Sequence, residues 1–283
     1  LPPNTRNIST GYKLQTSGKI STFDQLMSLE RINSVTFVGH SPKYNWGRVY
    51  GGQVVAQGLA AARMTVGQDL NVHSVHAYFI RGGDSSQGIR YEVDLLRDGK
   101  SFATRRVIAY QQGEAILNFS ASFQLKEEGP SSDHQIDMDK IPDPDDLKSE
   151  NWSEIMERKV IPSSEIPGAH GVWLKVNGDT SANATNEEGT VFASDDVPFD
   201  AAVRLHPMYE GTWDGNGEPP FFGASLDHAV WFHRSSSPYN WHLHLHEGIN
   251  HINNRGLASG KIYSRSGSHV ATVVQEILQR KSR

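Results

Sequence analysis

The run Ala224-Ser225-Leu226-Asp227-His228-Ala229-Val230-Trp231-Phe232-His233-Arg234 decides how the rest of the chain is read. It is strand-like, yet it carries a hydroxyl, a carboxylate, two histidines and an arginine among apolar residues. Burial would force each of these groups to find a partner, so the run points to a site. Its last four residues, Trp231-Phe232-His233-Arg234, have a weak echo earlier in the chain, Tyr78-Phe79-Ile80-Arg81. The echo predicts a molecule built twice.

Overlaying the two anchors gives a helix followed by four strands in each half. In the first half, Gly51-Gly52-Gln53-Val54-Val55-Ala56-Gln57-Gly58-Leu59-Ala60-Ala61-Ala62-Arg63-Met64 is small or apolar almost all round. That pattern predicts a helix buried on most of its surface. Strands are expected over 72–80, 89–96, 102–110 and 115–124, separated by Gly82-Gly83-Asp84, Arg97-Asp98-Gly99-Lys100 and Gln111-Gln112-Gly113 as turns. In the second half, residues 185–205 read as a helix made irregular by Gly189 and Pro198. Strands over 221–233, 241–249, 255–263 and 269–278 follow it, and the final hairpins turn at Gln112-Gly113 and Ser266-Gly267. The fold class is therefore α+β, an antiparallel sheet wrapped around a helix, twice. Under the overlay Val72 falls where Ser225 sits, and Ala121 roughly where Gln275 sits. Polar groups belong to the second half, which predicts one live site and one structural one.

Residues 1–20 are polar and read as a mobile arm. The first unit spans 21–125 and opens on a short helix, capped by Ser21 or Thr22, that carries Phe23, Leu26, Met27, Leu29 and Ile32; a strand over 35–38 follows. Residues 126–170, acidic and marked by Pro130, Pro142, Pro144 and Pro162, read as a long linker. The second unit spans 171–283.

Composition narrows the classes of function. The 283-residue chain has 27 Lys and Arg against 32 Asp and Glu, a formal net charge of -5, and so lacks the electrostatic footprint of a nucleic-acid binder. A phosphorylated small substrate remains open, since a local basic patch suffices for one. With no cysteine there is no disulfide, no thiolate ligand and no thiol nucleophile, and an intracellular home is expected. No apolar run approaches the roughly 20 residues that span a bilayer. The chain begins with Leu1, as a trimmed or renumbered sequence does.

Three residues can build a hydrolytic site: Asp195 in Ala193-Ser194-Asp195-Asp196, Ser225, and Gln275 in Val273-Val274-Gln275-Glu276. A carboxylate accepts a proton from water while a hydroxyl and a carboxamide hold that water against an electrophile, with no covalent intermediate. Spacing alone leaves open the alternative that each is a satisfied buried polar group. Ser225, Asp227 and His228 invite a serine-triad reading, but alternate strand residues share a face, so His228 should point away from the other two. A nucleophile elbow of the Gly-x-Ser-x-Gly type is also missing. Asp227 and His228 are accordingly read as scaffold. His242, His244 and His246 alternate along one strand face, where two of them could bind zinc; no carboxylate-rich motif supports a metal, and a solvated face is expected. Gly51-Gly52 leaves free N–H groups at a helix start, suited to a carbonyl oxygen or a phosphate, or else lets the helix pack closely. The adjacent glycines are not a dinucleotide fingerprint, and no cofactor is expected.

Longer motifs carry a resemblance. Gly51-Gly52-Gln53-Val54-Val55-Ala56-Gln57, Val72-His73-Ser74-Val75-His76-Ala77-Tyr78-Phe79-Ile80-Arg81-Gly82-Gly83-Asp84 and Leu96-Arg97-Asp98-Gly99-Lys100-Ser101-Phe102 resemble the acyl-CoA thioesterase II family. So do Ser225-Leu226-Asp227-His228 through Arg234 and Val274-Gln275-Glu276, and the likeness spans about residues 23–280. It implies a double hotdog fold and hydrolysis of an acyl-CoA to free acid and coenzyme A. It also implies water as the attacking group and a homo-oligomer. The family's Asp, Ser or Thr, and Gln map onto Asp195, Ser225 and Gln275. Gly51, Gly52 and Gln53 become candidates for contacting the substrate or its oxyanion, which requires the two halves to share the site. If Asp196 were the true counterpart of the aspartate, it would sit about 100° away on a helix. The loop Gly211-Thr212-Trp213-Asp214-Gly215-Asn216-Gly217 departs from the family and is expected to shape the acyl pocket. The competing readings are an acyl-CoA binder without turnover and a hotdog enzyme of other chemistry, such as an enoyl-thioester hydratase or a biosynthetic thioesterase. The chain ends Arg280-Lys281-Ser282-Arg283; one further leucine would make a Ser-Arg-Leu peroxisomal address, and otherwise the cytoplasm is expected.

Overall fold

The computed structural model describes residues 19–133, 136–178, 184–209 and 221–281. The expected arm and the 211–217 loop therefore lie outside the described residues, save for Lys19 and Ile20. The first half contains α1 (Phe23–Leu26), β1 (Glu30–Arg31), β2 (Thr36–Gly39), α2 (Gly51–Arg63), β3 (Leu70–Phe79), β4 (Ile89–Asp98), β5 (Phe102–Gln111) and β6 (Glu114–Leu125). The second contains β7 (Met156–Val160), β8 (His170–Val176), α3 (Asn186–Ser194), α4 (Pro198–Arg204), β9 (Phe221–Ser225), β10 (Asp227–Phe232), β11 (His242–Ile252), β12 (Arg255–Ser264) and β13 (His269–Lys281).

The strands form one antiparallel sheet in the order β1-β2-β4-β5-β6-β3-β10-β13-β12-β11-β8-β7, with β9 also paired to β13. The order is the same plan read from each end toward the middle. The halves join at β3 and β10, where Tyr78 lies opposite Asp227 and Ser74 opposite Trp231. The two anchor motifs are thus neighbours at the seam of a double hotdog. Within it α2 is buried from Gly52 to Ala62. Its residues share one hydrophobic cluster with Phe192, Val197 and Val230 of the second half, so the two units have a common core.

Four expectations need correction. The first helix stops at Leu26, not near Ile32, and the Leu26 carbonyl accepts from the buried Gln57 amide at 2.7 Å instead of from a further turn. The stretch read as linker contains β7, the counterpart of β1 at the opposite sheet edge; its Met156-Glu157-Arg158-Lys159-Val160 sequence hides the alternation because the inward-facing Arg158 is charged. Part of the same stretch, with Ile136, Met138, Ile141 and Leu147, packs over Trp173, Leu243 and Tyr263 on the outer face of the second half. That cover explains the third correction. His242, His244 and His246 are buried rather than solvated, since β11 has its leucines under the 136–147 segment and its histidines on the inner face. Last, the 221–233 run is two strands, β9 and β10, broken at Leu226. The kink expected near Pro198 separates α3 from α4, whereas Gly189 lies within continuous α3.

Close approach of the helices puts a limit on Gly52: a Cβ there would lie 2.3 Å from the Phe192 carbonyl oxygen. Gly52→Ala is expected to cost about 1–3 kcal/mol through overpacking and to lower the melting temperature by several degrees. Gly67→Ala, with nothing within 4 Å of the added methyl, serves as control. Equal melting temperatures for the two variants would contradict the tight helix contact.

Candidate active site

The polar strand run is shaped by a β-bulge. Ser225 pairs with Ile277 and Ala229 with Val274, so four steps along β9–β10 are matched by three along β13. The extra residue is held in place on both sides. Glu276 N donates to Asp227 Oδ1 at 2.7 Å, and Leu226 N donates to the Glu276 carbonyl at 2.8 Å. The Leu226 carbonyl in turn accepts from Phe79 N of the first half at 3.0 Å. The bulge resets the alternation. Ser225 and His228 both face inward while Asp227 stays at the outer side, which corrects the expectation that Ser225 and Asp227 share a face. The first half has its own register shift at the matching place, between Val72 and Ser74.

Asp195 is delivered by a helix end. Pro198 has no N–H to continue α3, so the helix stops at Ser194 with Asp195 as its C-cap at φ -84 and ψ -8. The Asp195 carboxylate then spans the two halves. Its Oδ2 accepts from Gly52 N at 2.8 Å and its Oδ1 from Gln275 Nε2 at 2.5 Å. Only 8% of the residue is exposed. Burial pushes its pKa up to about 7, and the hydrogen bonds from Gln275 and Gly52 offset part of that rise. Asp196 is paired instead, accepting from Trp152 Nε1 at 2.6 Å and Arg158 Nε at 2.9 Å. Arg158 also reaches Asp200 at 2.6 Å. This buried arginine was missed at the sequence level; the one signal it offered was a charge at an inward position between Met156 and Val160.

Above Asp195 opens a cavity of about 590 Å³. Trp46, Tyr50, Phe79, Trp152 and Phe199 form much of its wall, Gly51, Asp195 and Ser225 contribute polar atoms, and Arg48 and Arg81 are also in its lining. Trp152 packs against both Trp46 and Tyr50, with ring centroids 5.2 and 5.0 Å apart. Asp196 and Asp200 also line the chamber but are paired with Arg158, which leaves Asp195 as its carboxylate without a cationic partner; such an aromatic-walled chamber suits an acyl chain whose carbonyl is brought to a water.

Of the predicted site residues, Asp195 and Gln275 touch, Ser225 and Asp195 line the same cavity, and Gly51 lines it too. The Gly52 N–H is committed to Asp195 and is not a free donor to an oxyanion. Gln53 requires correction: it is fully buried away from the cavity, accepting from Tyr44 Oη and donating to Ser41 Oγ, each at 2.7 Å. Its position one step around α2 from the glycines turns it into the first-half core. The triad geometry is absent as well, because His228 Nε2 meets Ser194 Oγ at 2.7 Å rather than Ser225. Among the described residues no cluster of three or more His, Asp or Glu side chains is placed to hold a metal ion.

Comparison with known proteins matches both halves. An acyl-CoA thioesterase N-terminal domain model covers residues 40–124, and an acyl-CoA thioesterase C-terminal domain model covers 132–279. The chain is 33% identical over 282 residues to acyl-CoA thioesterase 2 of Haemophilus influenzae, covering 91% of this chain and 96% of that one. Acyl-coenzyme A thioesterase 8 of Mus musculus is 30% identical, with 81% and 79% covered. The crystal structure of an acyl-CoA thioesterase II from Mycobacterium marinum superposes with a TM-score of 0.78 at 30% identity, covering 92% of this chain and 98% of that one. With its fold, both domain models and full-length relatives in agreement, the chain belongs to the acyl-CoA thioesterase II family.

Proposed function

We propose that this protein hydrolyses acyl-CoA thioesters to the free acid and coenzyme A, and that Asp195 is the general base. The observation that carries the reading is the buried Asp195 carboxylate, bridged by Gly52 N–H and Gln275 at the cavity that Ser225 also lines. A base whose pKa lies near the working pH combines a useful ionised fraction with a strong pull on the water proton. Ser225 holds the attacking water by its hydroxyl, and Gln275 holds the carboxylate. The aromatic wall takes the acyl chain, and Arg48 and Arg81 are suited to the phosphates of coenzyme A. A hydratase would need the Asp227–His228 pair at the substrate; His228 is instead buried against Ser194 and Gln275.

Tyr78 and Trp231, on the outer side of the central strands, are 65% and 36% exposed. They are the proposed face for association with a second copy. Light scattering should give a multimer, and a monomer at all concentrations would contradict it. A peroxisomal location is proposed for a chain completed by Ser-Arg-Leu, and fluorescence imaging of the natural C-terminus tests it.

Activity should depend on pH through Asp195. The carboxylate must be ionised to act, so kcat/KM should fall with a slope of one as pH drops below about 7. Asp195→Asn should lower kcat on the order of 10²–10⁴-fold with little change in KM, and Ser225→Ala about 10–100-fold. A thiol-release assay across a panel of acyl-CoA chain lengths measures all three. Undiminished hydrolysis by Asp195→Asn would remove Asp195 from the role of base, and no hydrolysis of any acyl-CoA by the unmodified protein would leave a binder without turnover.

A further inference from the structure

Behind Asp195 runs a chain of hydrogen bonds whose two ends can only accept when the Asp195 carboxylate is ionised. At one end is the Val191 carbonyl inside α3, 2.9 Å from Ser194 Oγ, so the serine hydroxyl donates to it. Ser194 Oγ is thereby left as an acceptor toward His228 Nε2 at 2.7 Å, and that ring nitrogen must carry the proton. His228 Nδ1 is then bare and accepts from Gln275 Nε2 at 3.1 Å. The second hydrogen of the same amide goes to the other end of the chain, Asp195 Oδ1, at 2.5 Å. With a carbonyl at one terminus and an ionised carboxylate at the other, every link between them has one possible direction.

The Gln275 carboxamide consequently cannot flip. Turned over, its oxygen would face a carboxylate oxygen and a bare ring nitrogen at once. Its Oε1 is itself buried and has no hydrogen-bond partner among the described residues. The amide orientation is therefore dictated by its neighbours, not by saturation of its own groups. His228 is fully buried and stays neutral, since burial holds its pKa down at about 3. Of the other charged or titratable groups, Asp196 on the same corner and Tyr50 at the start of α2 act on Asp195, Arg158 of β7 acts on Tyr50, and His246 of β11 faces His228. Arg158 is occupied by Asp196 and Asp200. Gln275 and Gly52 are the donors that favour the ionised form of Asp195.

We infer that Ser194 and His228 are positioning residues which, through the direction of their hydrogen bonds, keep the Gln275 NH₂ group on the Asp195 carboxylate. The inference rests on Asp195 acting as the base. Loss of the direction lets the amide turn, deprives the carboxylate of a donor, and raises the pH needed to ionise it.

The test is the pH profile of kcat/KM for Ser194→Ala, His228→Asn and Gln275→Ala on the full chain. Ser194→Ala frees the histidine tautomer, so the acid limb should move up by roughly one pH unit. At pH 7 kcat should fall about fivefold with KM within about twofold. His228→Asn can place its Oδ1 where Nδ1 stood but leaves Ser194 Oγ without its partner, so the amide direction is no longer fixed and the acid limb should move up as it does in Ser194→Ala. In the double variant Ser194→Ala/Gln275→Ala the serine change should add nothing to Gln275→Ala alone, as expected when one residue acts through the other. An unshifted acid limb in Ser194→Ala, or a serine effect fully additive with Gln275→Ala, overturns the inference; both can be read if His228→Asn fails to fold. Full activity in Asp195→Asn is a separate result, and it would sink the base assignment instead.

Discussion

One hydrogen bond, from Gly52 N in the first half to Asp195 Oδ2 in the second, holds the candidate site together. It asks two helices from different halves to meet end to end at backbone distance, and the glycines make that possible. A Cβ on Gly51 would come within 2.7 Å of Asp195 Oδ2, and one on Gly52 within 2.3 Å of the Phe192 carbonyl. The helix start also presents the positive end of its dipole to the carboxylate. Without that donor and Gln275, a carboxylate this buried would be held in its neutral form. The common core follows from the same contact, because α2 and α3 cannot approach so closely without merging their apolar faces.

The duplicated sheet offers two equivalent places for such a meeting, and the side chains decide between them. At the seam of the second half His228 and Gln275 stand near each other across β10 and β13; in the first half Val75 and Ala121 pair across β3 and β6. Where the end of α2 meets the start of α3, Arg63 Nε donates to the buried Glu188 at 2.7 Å. An ion pair thus stands where the other end has a carboxylate facing a bare amide and a cavity. Removing one partner of such a pair would leave an uncompensated charge in the interior, so this end is built for cohesion.

Much of the architecture was legible because it is periodic. The all-round apolar α2, the eight later strand runs and the aromatic-Phe-x-Arg echo are local patterns, and they reappear in the structure with the 221–233 run split into β9 and β10. What was hidden depends on contacts remote in sequence. The bulge at Leu226 leaves no mark on the alternation of Ala224 to Phe232, yet it decides that His228 faces Gln275. The strand at Met156–Val160 was obscured by Arg158, whose partners Asp196 and Asp200 lie far along the chain. The β11 histidines looked solvated because their leucine neighbours are covered by a segment that reads as linker. In the candidate site, Asp195, Ser225 and Gln275 were named from chemistry and resemblance and His228 was read as scaffold, whereas its contacts with Ser194 and Gln275 emerge from hydrogen-bond geometry.

The central claim is that Asp195 is a buried carboxylate tuned to titrate close to neutrality. A carbon-13 NMR titration of the aspartate carboxyl groups, run on the substrate-free protein and on Asp195→Asn, measures this without reference to turnover. One aspartate should titrate near pH 7, and its signal should vanish in the variant. If every aspartate titrates below about pH 5, in the ordinary carboxylate range, Asp195 is not the tuned base and the claim is contradicted.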